Sequence, residues 1–205
     1  MKYDILPARQ FQLYEKMKQQ SWLQPFYLAG GTALALHLGH RESEDFDFFS
    51  QEDFSNDFLH AQLKKIGSFQ RMSEAENTLH GSINQIKISF LGYKYPVLED
   101  LVRNGFLNIA GVLDIACMKL SAIVGRGSKK DFIDLYFILQ DFSLHELLSA
   151  YQNKYNISSY EYLILKSLTY FEDAENDPMP IMKNRINWED VKEYLIREVK
   201  KIHFI

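Results

Sequence analysis

Among 205 residues there is one cysteine, Cys117, so no disulfide can close within the chain, and a reducing compartment is the expected setting. No apolar run approaches the roughly 20 residues that a helix needs to span a bilayer. The first twenty residues are polar and lack the apolar stretch of a signal peptide. Together these absences predict a cytoplasmic protein with no membrane partner. An excess of positive charge is missing too. The formal net charge is −4, which argues against a surface built to hold nucleic acid over its whole extent, so any contact with RNA must rest on a local patch. What is present is material for a core, 46% hydrophobic and 14% aromatic, in a length that allows one large domain or two small ones.

Residues 8–19 read as an amphipathic helix with Phe11, Leu13, Tyr14 and Met17 in its apolar stripe. A short apolar run, Phe26 to Ala29, ends at Gly30-Gly31, and Thr32 to Leu38 follows as a helix that Gly39 stops. Glu44 to Ser50 reads as a strand, with Asp45, Asp47 and Phe49 on one face and Phe46 and Phe48 on the other. Residues 58–66 read as a further helix. Residues 69–91 suit antiparallel strands with turns near Glu76-Asn77 and His80-Gly81, and Ile86, Ile88 and Phe90 alternate there with Lys87 and Ser89. Beyond Pro96 nearly everything reads as helix: 114–124, 130–140, 144–153, 158–172 and 188–201, the last with Asn187 as N-cap and a loop over 176–180 before it. The reading is an α+β half, residues 1–105, followed by a helical half, residues 106–205.

Chemistry concentrates in Asp45-Phe46-Asp47. Two carboxylates at i and i+2 on a strand share a face, about 6–7 Å apart at Cα. They can bind one hard divalent cation or bridge two. Without a cation they would repel, and one pKa would tend to rise. On its own such a pair is better explained by a half-buried edge strand carrying two solvated aspartates. Its context is the turn Gly30-Gly31-Thr32, just upstream. Glycines let the backbone approach a phosphate closely, and a helix start offers free N–H groups and the positive end of the dipole. Thr32 could cap that helix or bond a phosphate oxygen. Joined by one short helix, turn and strand make a triphosphate cradle facing a metal site, which is what phosphoryl transfer needs.

The stretch Leu28 to Phe49, LAGGTALALHLGHRESEDFDFF, closely resembles the AbiEii/AbiGii toxin family of nucleotidyltransferase-like proteins in the polymerase-β superfamily. A second block, Asp114 to Phe137, DIACMKLSAIVGRGSKKDFIDLYF, is similar to that family's downstream helical motif, and the resemblance spans residues 8–140. It implies a small mixed nucleotidyltransferase-type sheet with flanking helices, then a C-terminal helical domain. It also implies Mg2+ or Mn2+ as cofactor, an NTP as substrate, RNA or tRNA as an acceptor class, and a cognate antitoxin protein as partner in a toxin–antitoxin or phage-defence system. By the same resemblance Gly30, Gly31 and Thr32 lie on the phosphate side and Asp45 and Asp47 hold metal. Lys119, Lys130, Asp131 and Asp134 form the downstream polar set, with Lys119 and Lys130 toward the nucleotide and Asp131 and Asp134 among the catalytic groups.

Each of these downstream residues also has a plainer explanation. Asp131 and Asp134 share a helix face, and an aspartate in a first turn contributes about 0.3–1 kcal/mol through the dipole alone. Lys119 could reach phosphates or snorkel to solvent. Arg126, Lys129 and Lys130 form the best local basic patch, or simply a solvated connection. One departure stands out. Polymerase-β-type sites complete the metal cluster with a third carboxylate on a neighbouring strand, and residues 85–90 offer Ser89 there, while Glu74 and Glu76 fall at a turn. Either Asp131 or Asp134 substitutes, or metal binds weakly and the chain is a catalytically impaired nucleotidyltransferase fold acting as a protein-binding module. Arg41 and Ser43 are expected to fix the loop that enters the Asp45 strand. His37 and His40 lack a third partner at zinc spacing, and Cys117 reads as a small core residue.

Overall fold

The computed structural model describes residues 1–157 and 160–202, and the chain divides into two units, Met1–Gly111 and Val112–Ile205. In the first unit, among the described residues, strands β1 (Tyr27–Ala29), β2 (Phe46–Ser50), β3 (Phe69–Ala75), β4 (Thr78–Ile83), β5 (Ile86–Gly92), β6 (Val102–Asn104) and β7 (Leu107–Ile109) form one mixed sheet. Its order is β3-β4-β5-β2-β1-β7-β6. The centre is apolar because its strands are buried on both sides: every residue of β1 is buried, and so are Phe46, Phe48, Phe49 and Ser50 of β2. Phe48 and Phe90 stack at 5.0 Å, and Phe26 meets Phe90 edge-on at 5.1 Å, which anchors β2 to β5. Helix α1 (Ala8–Met17) buries Leu13, Tyr14 and Met17. Helix α2 (Gly30–Leu38) follows β1 directly and stops at Gly39, whose φ of +71° is left-handed. Helix α3 (Asn56–Ile66) starts at Ser55, whose hydroxyl accepts from the N–H of Phe58.

Some expectations from the sequence need correction in this unit. His80-Gly81 is not a turn. Both residues lie inside β4, and the chain reverses at Asn84-Gln85, where both φ angles are positive. Gly81 is there for close approach rather than for bending: a Cβ on it would stand 2.5 Å from the Phe69 ring and 2.6 Å from the Gln70 carbonyl oxygen. Residues 102–109 are not helical. They form the β6–β7 hairpin, in which β7 pairs parallel with β1 while β6 pairs antiparallel with β7. The strand predicted over 44–50 begins at Phe46, leaving Asp45 just before it.

In the second unit, α4 (Val112–Gly125), α5 (Lys129–Ile138), α6 (Leu144–Tyr155), α7 (Glu161–Ser167) and α8 (Trp188–Ile202) carry the helical half. Ser143 and Glu146 form a full capping box at the start of α6, and Asn187 Oδ1 accepts from the Glu189 N–H at α8. The helix predicted over 158–172 is shorter than expected, and Ser158 and Ser159 lie outside the described residues. Beyond its end Phe171 lies 5.0 Å from the Phe132 ring and 5.7 Å from Trp188.

The core of this unit also contains an ion pair. Lys154 Nζ donates to Asp114 Oδ1 at 2.5 Å, and each side chain is 1% exposed. Removing one member of such a pair leaves a buried charge uncompensated, whereas replacing both is tolerated. Lys154→Met should therefore cost about 3–5 kcal/mol, and Asp114→Leu combined with Lys154→Met should recover most of that loss, as measured by urea denaturation.

Candidate active site

The junction of β1 and α2 is set by one residue. Gly30 has φ +69°, a conformation glycine reaches without steric penalty, and it turns the chain from strand into helix in a single step. The residue before the helix, Ala29, offers no side-chain cap to the first turn. Antiparallel pairing sets Ala29 opposite Asp47. A Cβ added to Gly30 would stand 3.2 Å from Asp47 Oδ2, so the carboxylate lies directly against the turn. The glycine motif and the second aspartate, 17 residues apart in sequence, are thus in contact range.

The loop from Gly39 into β2 is held by hydroxyls. Thr32 Oγ1 donates to the carbonyl oxygen of Asp45, and Ser43 Oγ, 2.8 Å away, is then left to donate to Thr32. Thr32 is 2% exposed, so its hydroxyl is committed to the loop rather than to solvent. Arg41 is buried as well: its Nη1 donates to the Glu42 carbonyl at 2.9 Å, and its Nη2 would meet a Cβ on Gly31 at 2.5 Å. Arg41 and Ser43 therefore fix the entry to Asp45, as the sequence led us to expect. His37 Nε2 sits 2.8 Å from the Ala110 carbonyl, tying α2 to the end of β7.

The strand register extends the site across the sheet. Asp47 pairs with Ser89 on β5, Ser89 pairs with His80 on β4, and paired residues share a face. Ser89 Oγ and His80 Nδ1 are 3.1 Å apart. Lys87, exposed, lies two residues from Ser89 on that same face. Glu74 lies inside β3, not at a turn, but pairs with Leu79, which pairs with Phe90, so it belongs to the opposite face. Among the described residues no group of three or more His, Cys, Asp or Glu side chains could hold a metal ion. The carboxylate placed at this point is that of Asp47, and Asp45, held through its carbonyl, lies just before β2. His80 and Lys87 were not singled out from the sequence. The alternation Ile86, Ile88, Phe90 already implied a shared face for Lys87 and Ser89, whereas His80 was hidden by the mistaken turn.

Within the helical unit, Lys119 on α4 donates to Asp131 at 2.9 Å and pairs with Asp134 at 2.5 Å, and both carboxylates are fully buried on α5. Lys119 does not snorkel. Arg126 Nε and Ser128 Oγ also donate to Asp131, at 2.9 and 2.6 Å. Burial alone would push the Asp131 carboxyl up, but the Lys119 ammonium and the hydrogen bonds from Arg126, Ser128 and Lys119 outweigh it and hold the pKa down at about 2. Asp131 thus does more than complement a helix dipole. The basic patch is smaller than its sequence suggests. Lys129 is buried, donating to the carbonyls of Glu175 and Asp177 at 3.0 and 2.6 Å beneath the Trp188 ring, and Lys130 is exposed.

A glycine turn that meets an acidic strand on a mixed sheet, with a helical unit following, is the architecture of a nucleotidyltransferase. Two solved structures share the fold. JHP933 from Helicobacter pylori aligns at 20% identity with a TM-score of 0.59, over 97% of this chain and 94% of its own. MenT4, a nucleotidyltransferase toxin from Mycobacterium tuberculosis, aligns at 13% identity with a TM-score of 0.58, over 95% and 86%. The family model for the nucleotidyl transferase AbiEii toxin of type IV toxin–antitoxin systems matches residues 12–109. An uncharacterized protein of Aquifex aeolicus is 40% identical over 202 residues, spanning 96% of this chain and 97% of that protein. Through residues 12–109 the chain belongs to the AbiEii nucleotidyltransferase toxin family, and is a transferase by that membership.

The buried Asp131 cluster has a signed pH consequence. A carboxyl depressed in the folded state contributes stability above its unfolded pKa, near 3.8, and loses it as pH falls toward about 2. Asp131→Ala should therefore destabilise the protein by about 2 kcal/mol at pH 7, more than a first-turn dipole supplies, and the deficit should shrink below pH 4 in urea titrations.

Proposed function

We propose that this chain transfers a nucleotide from an NTP to an acceptor in the cytoplasm, that RNA, tRNA ends included, is the acceptor, and that a cognate antitoxin protein restrains it. One observation carries the reading: the carboxylate of Asp47 lies against Gly30, at the start of a helix whose first turn has no side-chain cap. A helix start of this kind presents free N–H groups and positive dipole to phosphate oxygens. The Gly30 cradle leaves space beside the carboxylate that any side chain would fill.

The donor set fits Mg2+ or Mn2+. Magnesium is commonly held by one or two carboxylates, with substrate phosphates and water completing the shell. Asp45 and Asp47 are the pair we assign to it. A bound divalent ion would offset the charge that develops on the transferred phosphoryl group and its leaving oxygen. Gly30 and Gly31 let the triphosphate approach the backbone closely. Thr32, with its hydroxyl engaged by Asp45 and Ser43, serves through its backbone N–H and by fixing the Asp45 loop. Of the downstream set, exposed Lys130 is assigned to contact with RNA phosphate, while Lys119 stays committed to Asp131 and Asp134. Asp131 and Asp134 hold the Lys119 side chain in place. A carboxyl held at about 2 takes up a proton poorly at neutral pH, so Asp131 is assigned to positioning rather than to base catalysis.

Calorimetry tests the metal assignment. The protein should bind an NTP more tightly with Mg2+ than with EDTA, and Asp45→Asn with Asp47→Asn should erase that difference while the thermal transition persists. Equal affinity under all four conditions would remove the metal site.

A further inference from the structure

A nucleotidyltransferase needs a group to accept the proton of the attacking hydroxyl, and the sheet position beside Asp47 that could carry an acid holds Ser89 instead. Among the described residues, Glu74 is on the wrong face, and Asp131 is fully buried and already bonded to Lys119, Arg126 and Ser128. What stands next in the row is an imidazole. Ala29, Asp47, Ser89 and His80 are successive cross-strand partners, so their side chains share one face, and His80 Nδ1 lies 3.1 Å from Ser89 Oγ. His80 is only half-buried and its strand is well supported, with Leu79 and Ile83 in the core on the opposite face.

We propose that His80 accepts the proton of the acceptor hydroxyl, and that Ser89 is the residue that positions it. The inference rests on the nucleotidyltransferase reading above and names a catalytic residue within it. With Nδ1–H donated to Ser89 Oγ, the lone pair is fixed on Nε2. The acceptor oxygen forms a bond to the α-phosphorus of the NTP as its proton passes to Nε2. The bond from that phosphorus to the bridging oxygen breaks, pyrophosphate leaves with the electron pair, and the imidazolium later returns its proton to water. The charged groups on the same face near this row are Asp47, across Ser89, and Lys87, two residues along β5. Lys87 stands where it can meet the phosphates of the NTP or the acceptor backbone.

The test uses the full chain with α-labelled NTPs, Mg2+ and total RNA, read as label on RNA and protein, beside calorimetry of Mg2+-NTP binding. His80→Ala should lower the transfer rate by about a hundredfold or more, the scale of lost general-base help, with the NTP Kd unchanged. Added imidazole should restore part of the His80→Ala rate and none of the rate of the Asp45→Asn, Asp47→Asn variant. Ser89→Asp placed in the His80→Ala background should also recover transfer, because it returns a carboxylate to the position beside Asp47. The proposal is overturned if His80→Ala transfers at the wild-type rate, or if its loss responds neither to imidazole nor to Ser89→Asp. Failure of the underlying reading looks different: the wild-type protein would label nothing, or the double asparagine variant would transfer normally.

Discussion

The pairing of Ala29 with Asp47 is the constraint on which the rest of the site depends. It is a backbone contact between two short, buried strands, and it decides where a carboxylate meets a glycine. Shift it by one residue and Phe46 or Phe48 would replace Asp47 at the turn, with the acids driven toward the apolar side. The register is held against such a slip by packing. Phe46 and Phe48 are buried in the core, while Tyr27 and Phe49, themselves cross-strand partners, stack at 6.0 Å. The hydrophobic effect therefore fixes the electrostatics of the site: the phenylalanines choose the strand's face, and the aspartates occupy what remains.

The two units carry their charge in opposite ways. In the first, Asp45 and Asp47 are half-buried, and the face of Asp47 also bears a half-buried histidine and an exposed lysine. In the second, Asp131 and Asp134 are sealed around Lys119, and Asp114 around Lys154. A sealed carboxylate is costly to disturb, because losing a fixed partner leaves a charge buried and uncompensated. The same residue type is thus left partly exposed in one unit and locked to fixed cations in the other, and burial is what separates the two.

Much of this was legible in the sequence where pattern and physics coincide. The helix after Gly30-Gly31, its stop at Gly39, the alternation of β2 and β5, and the role of Ser43 in the Asp45 loop all follow from spacing and residue type. The misses have physical causes. Gly81 looked like a turn residue because glycine is common in turns, but it answers to the crowding of Phe69 and Gln70. The real turn, Asn84-Gln85, contains no glycine at all, although both residues have positive φ. Strands β6 and β7 have three residues each, too few for a period of two to register. Burial of Lys119 and Lys129 was hidden because their partners come from other turns and helices, at distances in sequence that no local window spans.

The position of β7 bears on how this protein comes to be made. Strand β1 pairs with β2 within about one helix of chain, but its other edge is covered by residues 107–109, with Leu28 opposite Ile109. Contacts between residues so far apart in sequence form late, after the loop between them has been closed. As the chain leaves the ribosome, the glycine turn and both aspartates emerge well before the strand that completes their scaffold. Until that strand docks, β1 has an unpaired edge, and the nascent chain carries its glycine turn and both aspartates on an unfinished frame.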